Sequence, residues 1–154
     1  MTAKLRLLAL AASAAATLSA GVALAESDPD SAIQYRKAVM GTVGSNMKAS
    51  ALILQGKVEF KDALAGHAHA LAEAAKLAPA AFKQNTDGKG GEKTTATGKV
   101  WSDWAKFEDG LKALASESAK LAELAKGGDM AATGAQLGAV GKTCKGCHDN
   151  FRDK

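Results

Sequence analysis

Cys144, Cys147 and His148 are the residues whose types and spacing point most directly to chemistry. They stand in the run Cys144-Lys145-Gly146-Cys147-His148, and C-x-x-C-H is the spacing of c-type haem attachment. On a helix, residues three apart are neighbours on one face. Two thiols so placed can each form a thioether to one vinyl group along a single porphyrin edge. The imidazole of the following residue can then turn beneath the ring and ligate iron. Other uses of the spacing lack their usual surroundings. A thioredoxin-like C-x-x-C belongs beside a βαβ unit, and no strand pattern lies nearby. A structural zinc site wants four ligands, whereas the remaining histidines, His67 and His69, lie far away in sequence and no third cysteine exists. A disulfide between the two cysteines would close only a tiny loop. The expectation is one haem c per chain, attached through Cys144 and Cys147, with His148 as an iron ligand.

The elements that must hold this group read as helices. The chain has 154 residues, 23% of them charged, and only two prolines. Apolar spacing marks four helical stretches. The first runs over about 29–55, with Asp28 as N-cap, Pro29 in the first helical position and Gly56 ending it. Ile33, Met40, Met47 and Leu54 recur every seven residues, joined by Val43 and Ala51. Gly41 and Gly44 weaken this helix by about 1 kcal/mol each relative to alanine, which is tolerable where something bulky lies against that face. The second helix runs over about 60–78, with a stripe of Phe60, Leu64, His67, Leu71, Ala74 and Ala78, and Pro79 as its stop. His67 on that stripe reads first as a hydrogen-bonded core histidine and second as another iron ligand. A turn-forming connection, Asn85 to Gly91, follows.

The third helix covers about 101–126, with Trp104, Phe107, Leu111, Leu114, Ser118, Leu121 and Ala125 facing inward and Glu117–Lys120 on the wet side. Gly127-Gly128 ends it. The fourth begins at the N-cap Asp129 and carries Met130, Gly134, Leu137, Gly141, Cys144, His148 and Phe151 on one stripe. Gly134, Gly138 and Gly141 would admit a flat ring or a neighbouring helix. Four amphipathic helices with short connections make an all-α, antiparallel four-helix bundle. Its many alanines leave a core under-filled by side chains, and a haem among the helices supplies the missing apolar bulk, as cofactors in bundle cores do.

The start of the chain reads as an address. Lys4 and Arg6 precede an uncharged apolar run from Leu7 to Val22, and Ala23-Leu24-Ala25 offers a small-x-small cleavage site before Glu26. That is the pattern of a secretory signal peptide. An uncleaved anchor is the other reading, but Leu7 to Ala25 is barely long enough to span a bilayer. Residues 1–25 are therefore expected to be removed, leaving 26–154 as one domain. Loss of Lys4 and Arg6 lowers the formal net charge of +4 by two. No later stretch is apolar enough to span a membrane, and no nucleic-acid partner is expected. Export suits thiols that must meet haem outside the cytoplasm, so a bacterial periplasm is expected.

Taken together, these stretches resemble the class II c-type cytochromes, the cytochrome c′ family with its low-spin relatives. The resemblance covers nearly all of the mature chain. Cys144 through Arg152 is similar to the family's haem segment, carried on the last helix. Tyr35-Arg36-Lys37-Ala38-Val39-Met40 is similar to its first-helix segment. Leu77 to Phe82 and Trp101-Ser102-Asp103 match further landmarks. The resemblance implies that Arg36 approaches a haem propionate, that Met40 stands on the distal face of the iron, and that Arg152 lies near the proximal pocket. The Met40 thioether is of a kind that can ligate haem iron as a sixth ligand, so Met40 is read with His148 as a candidate iron ligand. It implies electron transfer with unidentified redox partner proteins. The alternative it offers is five-coordinate iron that captures nitric oxide or carbon monoxide. It also implies a homodimer paired through the first two helices. Nothing in the chain resembles a catalytic acid–base pair or a nucleophile with its base, so an enzyme is not expected.

Overall fold

The computed structural model describes residues 26–153; the signal-peptide reading of 1–25 lies outside the described residues. The first helix, α1 (Pro29–Leu54), starts as the sequence predicts. Asp28 accepts the Ser31 backbone N–H at 2.9 Å, and Pro29 occupies the first turn, where a missing N–H costs nothing. Gly56, at φ +64°, turns the chain beyond it, a conformation glycine enters without steric cost. A 3-10 turn, Lys61–Ala63, leads into α2 (Leu64–Phe82). After a long loop come the single turn α3 (Lys99–Ser102), then α4 (Trp104–Lys126) and α5 (Met130–Phe151). Asp129 caps α5 by accepting the Ala132 N–H at 2.9 Å. Helix α1 packs on α2, α2 on α4, α4 on α5, and α5 closes on α1. This is the four-helix bundle that the apolar spacing implies.

Two apolar clusters fill it. One is aliphatic, with Leu71, Leu121 and Val140 fully shielded from water. The other is aromatic. Phe107 meets Phe82 and Phe151 edge-on, with ring centroids 5.0 and 5.1 Å apart, contacts worth about 0.5–1.5 kcal/mol each beyond the area they bury. Met40 packs against both clusters and so marks their junction. Within the aliphatic part, the Ser50 and Ser118 hydroxyls are buried with no hydrogen-bond partner among the described residues.

Several details depart from the sequence reading. Pro79 does not stop α2; the helix continues to Phe82. Proline removes a hydrogen bond and crowds the carbonyl four residues back, and here it does so only in the last turn. The Trp101 indole then donates to the Phe82 carbonyl at 2.8 Å, satisfying one of the acceptors left at that end. Phe60 is 68% exposed rather than on the core stripe, because the 3-10 turn after it breaks the helical register. The third helix splits at Asp103, whose non-helical backbone (φ −126°, ψ 49°) separates α3 from α4. On α5 the predicted stripe holds at Leu137 and Phe151, but Thr133 and Val140 are buried beside them while Met130 is exposed. Gly134 and Gly138 would meet nothing with an added Cβ, whereas Gly141 faces Met47 at 3.5 Å.

The loop between α2 and α3 is tied down at both ends. Asp30 accepts the Gly91 and Glu92 N–H groups at 2.7 and 2.8 Å. Lys37 pairs with Glu92 and donates to the Lys93 carbonyl at 3.2 Å. Further along, the loop lies antiparallel to the end of α5. Thr97 N–H donates to the Phe151 carbonyl at 3.0 Å, and Asp153 N–H to the Thr95 carbonyl at 2.8 Å. The same segment therefore caps the C-terminus of α5 and walls the space beside it.

Candidate functional site

That space is a cavity of about 830 Å³ between α1, α4, α5 and the loop, toward the upper end of ligand pockets in general, roughly 300–1,000 Å³. Cys144, Cys147 and His148 all line it. Their helical spacing puts both thiols on one wall, half-buried, with Cys144 against the aliphatic cluster and Cys147 against the aromatic one. Burial pushes both thiols above their ordinary range, and for Cys147 the neighbouring Cys144 adds to it. His148 borders the cavity while keeping contact with solvent. Burial, and after it the charge of Arg152, lowers its pKa against an opposing pull from Asp149. That favours the neutral imidazole, the form that binds metal.

Met40 lines the cavity from α1. Its unbranched thioether is soft and adaptable, and it is half-buried. Two glycines shape the walls. Gly41 beside it would meet nothing within 4 Å if it carried a Cβ. Gly110 on α4 would only reach ordinary contact with Cys147 Sγ at 4.0 Å. Both leave room on walls that a flat ring would use. Gly44, by contrast, lies outside the cavity lining.

Arg36 is the most unusual group here. It is 2% exposed and lines the cavity. Its Nη1 donates to Thr86 Oγ1 and its Nη2 to Thr94 Oγ1 at 3.1 Å. The guanidinium lies 5.3 Å from the Trp101 ring and 5.7 Å from the Phe82 ring, both within cation–π range. Burial lowers its pKa, yet no carboxylate stands within ion-pair distance among the described residues. A guanidinium has five N–H donors, and the two threonines take only two. Buried charges are ordinarily paired, so this one suits an anionic group entering the cavity. The thiol pair, the imidazole, the glycine-lined walls and this cation together fit a haem with its carboxylate-bearing edge toward Arg36.

The other histidines do not join the site. His67 Nδ1 is hydrogen-bonded to Asn46 Oδ1 at 2.9 Å and does not line the cavity, in line with its reading as a core histidine. His69 is exposed on the outer face of α2. Among the described residues no cluster of three or more His, Cys, Asp or Glu side chains is arranged to hold a bare metal ion. Sequence reasoning missed Thr86 and Thr94. The turn signal from Asn85 to Gly91 located their loop, but nothing in it told which hydroxyls fold over the guanidinium.

The chain is similar to known proteins over most of its length. The family model described as Cytochrome C′ matches residues 31–152. A curated relative from Rhodospirillum rubrum, named cytochrome c′, is 37% identical over 96% of this chain and 97% of its own length. The crystal structure of cytochrome c′ from Rubrivivax gelatinosus superposes with a TM-score of 0.75 at 34% identity, covering 82% of this chain and 98% of that one. A nitric oxide complex of a cytochrome c prime mutant from Alcaligenes xylosoxidans superposes with a TM-score of 0.72 at 28% identity, covering 84% and 99%.

Proposed function

The chain belongs to the cytochrome c′ family, a haem c protein of the electron-transfer and gas-binding kind, and from that premise we propose that it is a periplasmic electron carrier. When bound, the haem supplies a one-electron ferric–ferrous couple. Cys144 and Cys147 would tether it through thioethers, and His148 would ligate its iron. Met40, lining the cavity from α1, would cover or ligate the iron. Arg36 would donate a charge-assisted hydrogen bond to a propionate. The aromatic cluster and Met40 exclude water from the ring face, and burial and ligation together set the potential. No substrate turnover is assigned to the chain. Residues 1–25 direct export and are removed.

The single observation that carries this reading is the shared cavity. Cys144, Cys147, His148, Met40 and Arg36, drawn from two helices far apart in sequence, line one space. A second reading, capture of a small gas such as nitric oxide or carbon monoxide, is favoured by the solved nitric oxide complexes among the structural neighbours. The two differ at Met40. A thioether on the iron gives a six-coordinate, low-spin carrier; a thioether that merely covers the iron leaves a coordination position for gas. Absorption spectra of ferric and ferrous protein, with and without Met40→Ala, separate them. Electron carriage through Met40 ligation predicts a low-spin ferric spectrum that turns high-spin in the variant. A high-spin ferric spectrum unchanged by Met40→Ala puts gas binding first.

A further inference from the structure

Thr86 lies behind Arg36. Its side chain is 3% exposed, and its hydroxyl accepts from Arg36 Nη1. Arg36 and Thr94 line the cavity, but Thr86 does not. Whatever Thr86 does to a group in the cavity must therefore pass through the guanidinium. We propose that Thr86 is a positioning residue: its buried hydroxyl fixes the Arg36 guanidinium toward the cavity and thereby helps set the reduction potential of the haem. The inference rests on the haem assignment above and adds to it a residue outside the cavity wall.

First, Arg36 is held on four sides. Thr86 and Thr94 take one N–H each, and the Phe82 and Trp101 rings lie within cation–π range. Second, the holder is itself held. Lys89 N–H donates to the Thr86 carbonyl at 3.1 Å, and the Asp30 carboxylate anchors the loop further on. Third, a fixed positive charge beside a redox centre disfavours its more positive, ferric state, and a low-dielectric surrounding magnifies the effect. Removing the hydroxyl leaves a buried charged donor without an acceptor, so the guanidinium loses its fixed orientation beside the cavity and its influence on the iron falls.

The test uses haem-loaded protein and spectroelectrochemical titration of Thr86→Val, Thr86→Ser, Arg36→Met and the Thr86→Val/Arg36→Met double variant. Haem content is measured in parallel. The expected result is that Thr86→Val lowers the ferrous-to-ferric ratio several-fold at fixed potential, each factor of ten being ~59 mV. Thr86→Ser restores the wild-type value, and the double variant matches Arg36→Met alone. Thr86→Ala gives the same readout where the valine variant does not fold. A wild-type potential in Thr86→Val, or a Thr86→Val effect that persists in the Arg36→Met background, overturns the proposal while leaving the haem assignment intact. A purified protein with no attached haem overturns both.

Discussion

Met40 on α1 and Cys147 on α5 pack against the same aromatic cluster and line the same cavity. A thioether and a thiol of the C-x-x-C-H run thus border one wall built from Phe82, Phe107 and Phe151. The aromatic cluster does two things at once: it closes one end of the bundle and sets the apolar boundary of the site.

Arg36→Met tests the charge at that boundary. The substitution keeps apolar bulk but removes the donors that Thr86, Thr94 and a propionate would share. Hydrogen bonds to charged groups contribute about 1.5–3 kcal/mol, and a loss of that size is expected in the loaded protein. Thermal unfolding followed by circular dichroism measures it. An unchanged melting curve would show that no anion meets the guanidinium.

Ser50 and Ser118 carry buried hydroxyls without partners among the described residues. Replacing either by alanine removes a polar group that lost its water on folding, at almost constant shape. Ser50→Ala and Ser118→Ala are each expected to stabilise the bundle by up to ~1 kcal/mol, the low end of the penalty for an unsatisfied buried group. Denaturant unfolding checks this, and a loss of stability in both variants would mean that the hydroxyls have partners in solution.

Leu71 and Phe60 share one stripe in the sequence, yet Leu71 is fully buried and Phe60 is 68% exposed. Leu71→Ala is therefore expected to cost 2–5 kcal/mol, roughly the range for truncating a buried leucine. Phe60→Ala should stay within about 0.5 kcal/mol, as surface changes do. Equal costs would place Phe60 in the core after all.

What could be read in the sequence follows from what each signal encodes. The caps Asp28 and Asp129 each act on a backbone N–H three residues away, so their helix starts were legible. The C-x-x-C-H run carries its chemistry within five residues, so the attachment wall was legible too. Periodicity located the α4 stripe from Phe107 to Ala125 without error, because large apolar side chains occupy it. On α5 glycines and alanines blur the angular position of the stripe: Leu137 and Phe151 are buried as predicted, and Thr133 and Val140 join them unannounced. Pro79 misled because it forfeits one helical hydrogen bond without ending the helix, whose last turn runs on to Phe82. The burial of Thr86 depends on Arg36, which is distant in sequence, and a loop threonine carries no local mark of such a contact.

The account stands or falls on covalent haem at Cys144 and Cys147. The most direct measurement is a pyridine haemochrome spectrum together with a haem-stained denaturing gel, on the exported protein and on the Cys144→Ala/Cys147→Ala double variant. The expected result is a haem c spectrum and a stained band at the size of the chain beginning near Glu26, with both lost in the double variant. Haem that separates completely from the wild-type chain on denaturation, or a stained band that survives removal of both cysteines, would contradict it.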